Sequence, residues 1–385
     1  MRVCFLNSPI EFFSPVSGGA IATILMQSAA QMIRLGHDVT VLTPMNGDPL
    51  YPVGKVLPLE SPVRDQLPKG FRTLVSMHSW ICSWDWAYYR YYLKTFTAAL
   101  KQMSPPPDVV VMFNDLVSPE YVKRAVPGVK TVVWLQNAQE TRRRNLPKAL
   151  RAIDQYLTCS SYIKDFTIEK YGLNESHVAV VHSGVDLAAF YPTPDYLETG
   201  STLRTLFIGR IDANKGPDIA TDAVLALQKE GLNVSLTVAG AIWYYIRGNE
   251  HTDSFFPILK SKMEEANAIF TGYVPRTEVP GVVREHDVAF VLSRSKEPFG
   301  LVTLEAMASG CAVLASDRGG LPEACGGAAI LLDPDDLNSV IASLRRLATD
   351  ADYLREMKQR SIQRAAEASW DVVGERLNSI LDSLL

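Results

Sequence analysis

Leu203-Arg204-Thr205-Leu206-Phe207-Ile208-Gly209-Arg210-Ile211-Asp212-Ala213-Asn214-Lys215-Gly216-Pro217 restarts a pattern that the chain has already completed once, and this restart decides the fold. Leu203–Ile208 reads as a buried strand, and Pro217–Glu230 as a helix after Lys215-Gly216. Ser235–Ala239 is the next strand, closed by Gly240. Strands at Ala268–Thr271, Val288–Leu292, Ala312–Ala315 and Ala329–Leu332 continue the alternation. The earlier series opens with strand Met1–Leu6 and a long loop to Ser17-Gly18-Gly19. Helix Ala20–Leu35 follows, with Ile21, Ile24, Leu25, Ala29, Met32 and Ile33 on one stripe, then a stop at Gly36 and strand Val39–Leu42. Asp108–Phe113, Thr131–Leu135, Gln155–Thr158 and Val178–His182 extend it. Two successive βαβ series predict an α/β protein of two Rossmann-like domains facing an interdomain cleft. Residues 1–186 are expected to form the first domain, 187–202 (with Pro192, Pro194 and Gly200) the linker, and 203–369 the second. The stripe Val372, Val373, Leu377, Ile380, Leu381 and Leu384 makes 370–385 a helix expected to cross back onto the first domain.

The composition agrees. The chain has 385 residues, 47% hydrophobic and 21% charged, enough apolar material for two cores and too much for disorder. A net charge of −4 gives no reason to expect nucleic acid as a partner. Five scattered cysteines (Cys4, Cys82, Cys159, Cys311, Cys325) show no metal spacing and read as small buried hydrophobes in a reducing compartment. The apolar run after Met1 is too short for a signal peptide, and no run approaches the roughly 20 residues of a membrane helix. A cytoplasmic protein is the expectation. Residues 1–186 hold 19 basic and 15 acidic side chains against 19 and 27 in the remainder, so the first half is the one expected to face an anionic group.

Chemistry concentrates in Glu297-Pro298-Phe299-Gly300-Leu301-Val302-Thr303-Leu304-Glu305, between strand Val288–Leu292 and helix Leu301–Ala308. Gly300 permits close backbone approach, and the N–H groups of Gly300, Leu301 and Val302 at a helix start suit a phosphate. Glu297 and Glu305 could grip hydroxyls on opposite sides of that phosphate. The plainer alternative is one capping acid and one solvated acid. Gly209-Arg210 and Lys215-Gly216 put two cations at a strand end, where they could stabilise charge on a departing diphosphate or form surface ion pairs. Gly18-Gly19 is either a second phosphate approach or a turn.

These segments resemble the retaining GT-B-fold glycosyltransferases of family 4. The marks are Arg210…Lys215-Gly216, Phe270-Thr271-Gly272-Tyr273-Val274, and Glu297–Glu305 as the E-x7-E motif. Gly310-Cys311-Ala312-Val313, Gly319-Gly320-Leu321-Pro322-Glu323, Ser183-Gly184-Val185-Asp186 and the Trp370-Asp371 helix complete them. The resemblance implies that the second domain binds a nucleotide sugar and the first an acceptor. Glu297 would hold hydroxyls of the donor sugar and Glu305 the ribose. Arg210 and Lys215 would bind the diphosphate with the Gly300–Val302 amides, and Gly209, before Arg210, and Phe299, before Gly300, would belong to the same nucleotide-donor site. Tyr273 and Val274 would present backbone groups to the base, and Gly18 and Gly19 would approach the diphosphate or acceptor. Front-face transfer assisted by the leaving group is implied, with no metal and no cofactor beyond a UDP- or GDP-linked donor.

One departure stands out. Where the family carries loop histidines, this chain reads Met112-Phe113-Asn114-Asp115 and Trp134-Leu135-Gln136-Asn137. Asn114, Gln136 or Asn137 could hydrogen-bond a sugar hydroxyl, but an amide cannot act as an acid or base near neutral pH. His37, His78, His177, His182 and His251 occupy turn, strand-end or surface positions with no catalytic pattern. Asp333-Pro334-Asp335 is a D-x-D string that precedes a helix it can cap, a competing explanation to metal binding. Trp80, Trp84, Trp86, Tyr88, Tyr89, Tyr91, Tyr92 and Phe96 fall on helical faces that suit core packing, an acceptor or a shallow membrane contact. Arg142-Arg143-Arg144 suits an anionic acceptor, an inner-membrane surface or solvent.

The expected activity is transfer of a sugar from a nucleoside-diphosphate sugar to a sugar, lipid-linked or small-molecule acceptor, with retained anomeric configuration. Biosynthesis of a polysaccharide, glycolipid or glycosylated metabolite is the setting. A sugar-nucleotide epimerase or hydrolase and a non-catalytic nucleotide-sugar-binding module are the competing readings.

Overall fold

The computed structural model describes residues 1–8, 11–16, 19–45, 47–59, 85–141, 146–198, 200–242 and 255–385, with the side chains of 85–90 excepted. Gly18, Arg142-Arg143-Arg144, His78, His251, Cys82, Trp80 and Trp84 lie outside them, as do the side chains of Trp86, Tyr88 and Tyr89. The chain forms two compact units. One comprises Met1–Cys159, Ile163–Val181 and Val373–Leu385, the other Ser160–Tyr162 and His182–Val372.

The first unit is built on β1 (Arg2–Leu6), β2 (Asp38–Pro44), β3 (Lys55–Leu59), β4 (Val109–Phe113), β5 (Lys130–Leu135), β6 (Gln155–Thr158) and β7 (Val178–Val180). All pairings are parallel, in the order β3-β2-β1-β4-β5-β6-β7. A parallel sheet is covered on both faces, which is why β4 reads Val-Val-Val-Met-Phe without alternation and is buried throughout. The helix at Ala20–Arg34 buries Ala22, Ile24, Leu25, Ala29 and Met32, close to the expected stripe. β3 escaped the sequence reading: Lys-Val-Leu-Pro-Leu is short, and its Pro58 fits because β3 is an edge strand.

The second unit repeats the architecture with β8 (Leu203–Ile208), β9 (Val234–Ala239), β10 (Ile269–Gly272), β11 (Val288–Val291), β12 (Ala312–Ser316) and β13 (Ile330–Leu332), ordered β10-β9-β8-β11-β12-β13. Phe207, Val224, Leu236, Phe290 and Leu314 anchor its core. At the opposite end from the loops that carry the motifs, buried Asp287 accepts from Arg204 at 3.0 Å and from Lys358 at 2.7 Å. Burial alone would raise the Asp287 carboxyl, but these two cations hold it below the ordinary carboxylate range. The last helix, Trp370–Asp382, begins in the second unit, and from Val373 onward its residues belong to the first, where Asn378 meets His37. No helix among the described residues is long and apolar enough to cross a membrane.

Candidate functional site

In the second sheet β8 lies beside β11, so the loops that leave their carboxyl ends meet. After β8, Asp212 accepts from the Asn214 N–H at 2.9 Å and shapes a single turn over Ala213–Lys215. Gly216 then adopts φ +74°, and a Cβ there would stand 2.2 Å from the Leu292 carbonyl oxygen. Only glycine fits this combination of left-handed backbone and close approach. Gly216→Ala should therefore cost about 1–3 kcal/mol of stability, read as a lower urea midpoint; an unchanged midpoint would refute the tight junction. Arg294 completes the seam: its N–H donates to Asn214 O at 2.8 Å and its Nη1 to Ala213 O at 2.6 Å.

This seam brings Lys215 and Ser293 to one oxygen. Lys215 Nζ lies 2.5 Å and Ser293 Oγ 2.6 Å from Glu297 Oε1. Lys215 and Glu297, 82 positions apart, are thus direct partners in a partly buried ion pair. Glu297 is followed by Gly300, at φ +96°, the N-cap of helix Leu301–Ala308. Gly300 supplies no capping side chain; its carbonyl takes the Thr303 N–H at 3.0 Å, and the Leu301 and Val302 N–H groups stand at the positive end of the helix dipole. Glu305, 4% exposed, is engaged by Arg276 from the loop after β10. Arg210 is engaged by Asp212 within its own loop. Each of these three cations therefore has an acidic partner, the ion pairing that the sequence left open for Arg210 and Lys215 beside diphosphate binding. Gly209 donates its N–H to Ala239 O at 3.0 Å, Phe299 is buried, and Tyr273 is exposed with Val274 partly so.

The D-x-D string resolves into an Arg318 clamp. Arg318 Nη2 donates to Asp333 at 2.7 Å and to Asp335 at 2.6 Å, while Asp336 caps the next helix through Ser339. Among the described residues no cluster of His, Cys, Asp or Glu has the shape of a metal site.

In the first unit, Asn114 follows β4 with φ +52°, and its Oδ1 accepts the Gln136 N–H at 2.7 Å. That oxygen ties two loops together. Gln136 is buried, and its Nε2 has no hydrogen-bond partner among the described residues; Asn137 is exposed. Gly19 lies at the other helix start that the sequence singled out. Glu11 Oε1 accepts the Gly19 N–H at 2.7 Å and the Ala22 N–H at 3.4 Å, so a carboxylate stands at the start of helix Ala20–Arg34. Of the aromatic segment, Tyr92 and Phe96 are core residues in ring contact at 5.4 Å, and Tyr91 is exposed.

Two family models match in succession, Glycosyltransferase Family 4 over residues 18–189 and Glycosyl transferases group 1 over residues 196–365. The chain belongs to glycosyltransferase family 4, with the GT-B fold. A glycogen synthase of Mycobacterium tuberculosis is 26% identical over 94% of this chain and 90% of its own length. A D-inositol 3-phosphate glycosyltransferase of Thermobifida fusca is 31% identical over 53% of this chain and 49% of its own. Among solved structures, sucrose-phosphate synthase of Thermosynechococcus elongatus superposes with a TM-score of 0.75 at 18% identity, covering 100% of this chain and 99% of that one. Anabaena HepE in complex with UDP gives 0.70 at 15% identity, covering 100% of both chains. Sugar transfer is the activity of this glycosyltransferase family, and the E-x7-E segment falls within the group 1 match.

For a glycosyltransferase, the sequence left out several participants in this site. Arg276, Ser293 and Arg294 touch the motif residues, and His182 stacks on Phe299. Ser293 could have been suspected from its place just after β11. The others become partners only through tertiary structure.

Proposed function

We propose that the second unit binds a UDP- or GDP-linked sugar and that the enzyme transfers the sugar to an acceptor hydroxyl with retained anomeric configuration. The observation that supports this best is the Lys215–Glu297 pair placed at the uncapped amino end of helix Leu301–Ala308. In this reading the diphosphate takes the Gly300–Val302 amides and draws Lys215 and Arg210 toward its oxygens. Glu297, relieved of Lys215, then accepts hydrogen bonds from donor-sugar hydroxyls, and Glu305 accepts from the ribose. Tyr273 and Val274 offer backbone groups to the base. UDP in the HepE complex is consistent with such a ligand.

Charge that develops on the departing diphosphate is matched by two cations and the helix dipole, fixed before the reaction begins. The leaving oxygen can accept the acceptor's proton on the same face, so the scheme needs no protein base, as befits loops that carry Asn114 and Gln136 in place of histidines. Those cations and amides supply the positive charge that a divalent ion would bring. Turnover is therefore expected to survive dialysis against EDTA, and a chelator-dependent loss restored by Mg²⁺ would contradict this scheme.

The acceptor is a sugar, a lipid-linked intermediate or a small molecule, met at a cytoplasmic or inner-membrane face. The test is a panel of UDP-, GDP-, ADP- and dTDP-sugars with and without candidate acceptors. Acceptor-dependent release of nucleoside diphosphate is expected. A new sugar nucleotide would replace transfer with epimerisation, acceptor-independent release would indicate hydrolysis, and binding without turnover would indicate a non-catalytic module.

A further inference from the structure

We propose that His182 and Glu323 are positioning residues, which hold the Glu297–Gly300 loop in the shape that presents the Gly300–Val302 amides to a diphosphate. The proposal rests on the donor site argued above. It starts from an imidazole that makes two different contacts at once. The His182 ring lies almost parallel to Phe299, 5.3 Å between centroids and 14° between planes, and its Nε2 donates to Glu323 Oε1 at 2.5 Å. An aliphatic side chain could cover Phe299 but not reach Glu323, and a glutamine could reach Glu323 but not stack.

Glu323 is itself pinned. Its Oε1 also accepts from Ser161 Oγ at 2.9 Å, and its Oε2 from the Ser161 N–H at 2.7 Å. Burial would raise its carboxyl, but the His182 and Ser161 bonds hold it below the ordinary range. Glu323 stands on the short helix that follows Gly319-Gly320, and those glycines lie directly on the loop. Gly320 N–H donates to Glu297 O at 2.7 Å. A Cβ at Gly319 would stand 2.3 Å from Glu297 O, and one at Gly320 2.2 Å from Pro298 O. Ser160 Oγ donates to Pro298 O at 2.6 Å from the other chain segment of the same unit.

Glu297, Pro298 and Phe299 are thus each held by a separate contact, from Gly320, Ser160 and His182, and Glu323, on Gly320's segment, joins it to the other two. The next residue is Gly300, whose left-handed backbone offers little resistance to a change of shape. Phe299 is 2% exposed, so its ring is the firm handle by which His182 fixes that glycine. None of the holding groups needs to touch substrate. They act through the loop.

The test uses the full chain with His182→Phe, His182→Gln and Glu323→Gln. Hydrogen–deuterium exchange is followed in peptides covering residues 296–305, and UDP and GDP are titrated calorimetrically. His182→Gln and Glu323→Gln are expected to speed exchange in that segment at least about threefold. They should weaken the bound nucleotide about three- to tenfold, with a matching rise in donor KM and kcat within about twofold. His182→Phe, which keeps the ring, should recover part of the lost affinity. Unchanged exchange and affinity would overturn the proposal, as would faster exchange throughout the second unit with a lower melting temperature, which marks bulk packing. Faster exchange confined to 296–305 in a protein that binds neither nucleotide in wild-type form would support the loop positioning and overturn the donor-site reading.

Discussion

Glu297→Gln is expected to lower kcat by about 10²–10³ while free UDP or GDP binds within about threefold of wild type. The asymmetry follows from what the side chain touches. Glu297 meets Lys215 and Ser293 and, in the proposed complex, sugar hydroxyls, whereas a free nucleotide offers no sugar to hold. Glutamine keeps an oxygen for Lys215 and Ser293, so the fold of the loop should survive. The lost charge is felt when positive charge develops at the anomeric carbon. If kcat were unchanged, Glu297 would have no part in the chemistry. If nucleotide affinity fell in step with kcat, Glu297 would be a structural partner of Lys215 and nothing more.

Lys215→Ala is expected to cost about 10²-fold in kcat and to weaken UDP or GDP binding by at least about tenfold, since a charge-assisted bond to a phosphate contributes about 1.5–3 kcal/mol. It also leaves Glu297, 12% exposed in its side chain, with Ser293 as its remaining donor of the two, and an uncompensated carboxylate near the diphosphate repels it. Lys215→Ala combined with Glu297→Gln removes both charges. That pair should recover nucleotide affinity relative to Lys215→Ala alone while leaving turnover low, a coupling that a double-mutant cycle measures directly. Unaltered affinity in Lys215→Ala would remove the diphosphate from this site.

The sheets were legible because parallel strands buried on both faces need no alternation to be seen. Val109–Phe113 and Val288–Val291 are apolar throughout, and Gly36 and Gly300 punctuate helices where glycine adopts positive φ. The motif loops were legible for the same reason, as glycine and charge placed directly after such strands. What the sequence could not display was pairing across distance. Lys215 and Glu297 read as two independent groups until Gly216 is seated on Leu292. Arg276 meets Glu305 from another strand's loop, and Glu11 fills the helix start that Gly19 seemed to leave open. His182 looked like the end of a strand because its partners, Phe299 and Glu323, are more than a hundred residues away.

Proton NMR of a running reaction follows both the proposed transfer from a nucleotide sugar at the Glu297 loop and the proposed retention of configuration. With an α-linked UDP- or GDP-sugar whose C2 hydroxyl is equatorial, so that the H1–H2 coupling separates the anomers, and an acceptor, the donor's anomeric signal should decay as free nucleoside diphosphate accumulates. A new anomeric signal with the small coupling of an α-glycoside should grow at the same rate, and Glu297→Gln should slow all three together. A product with the large coupling of a β-glycoside would contradict retention, and turnover indifferent to Glu297→Gln would contradict the role of Glu297.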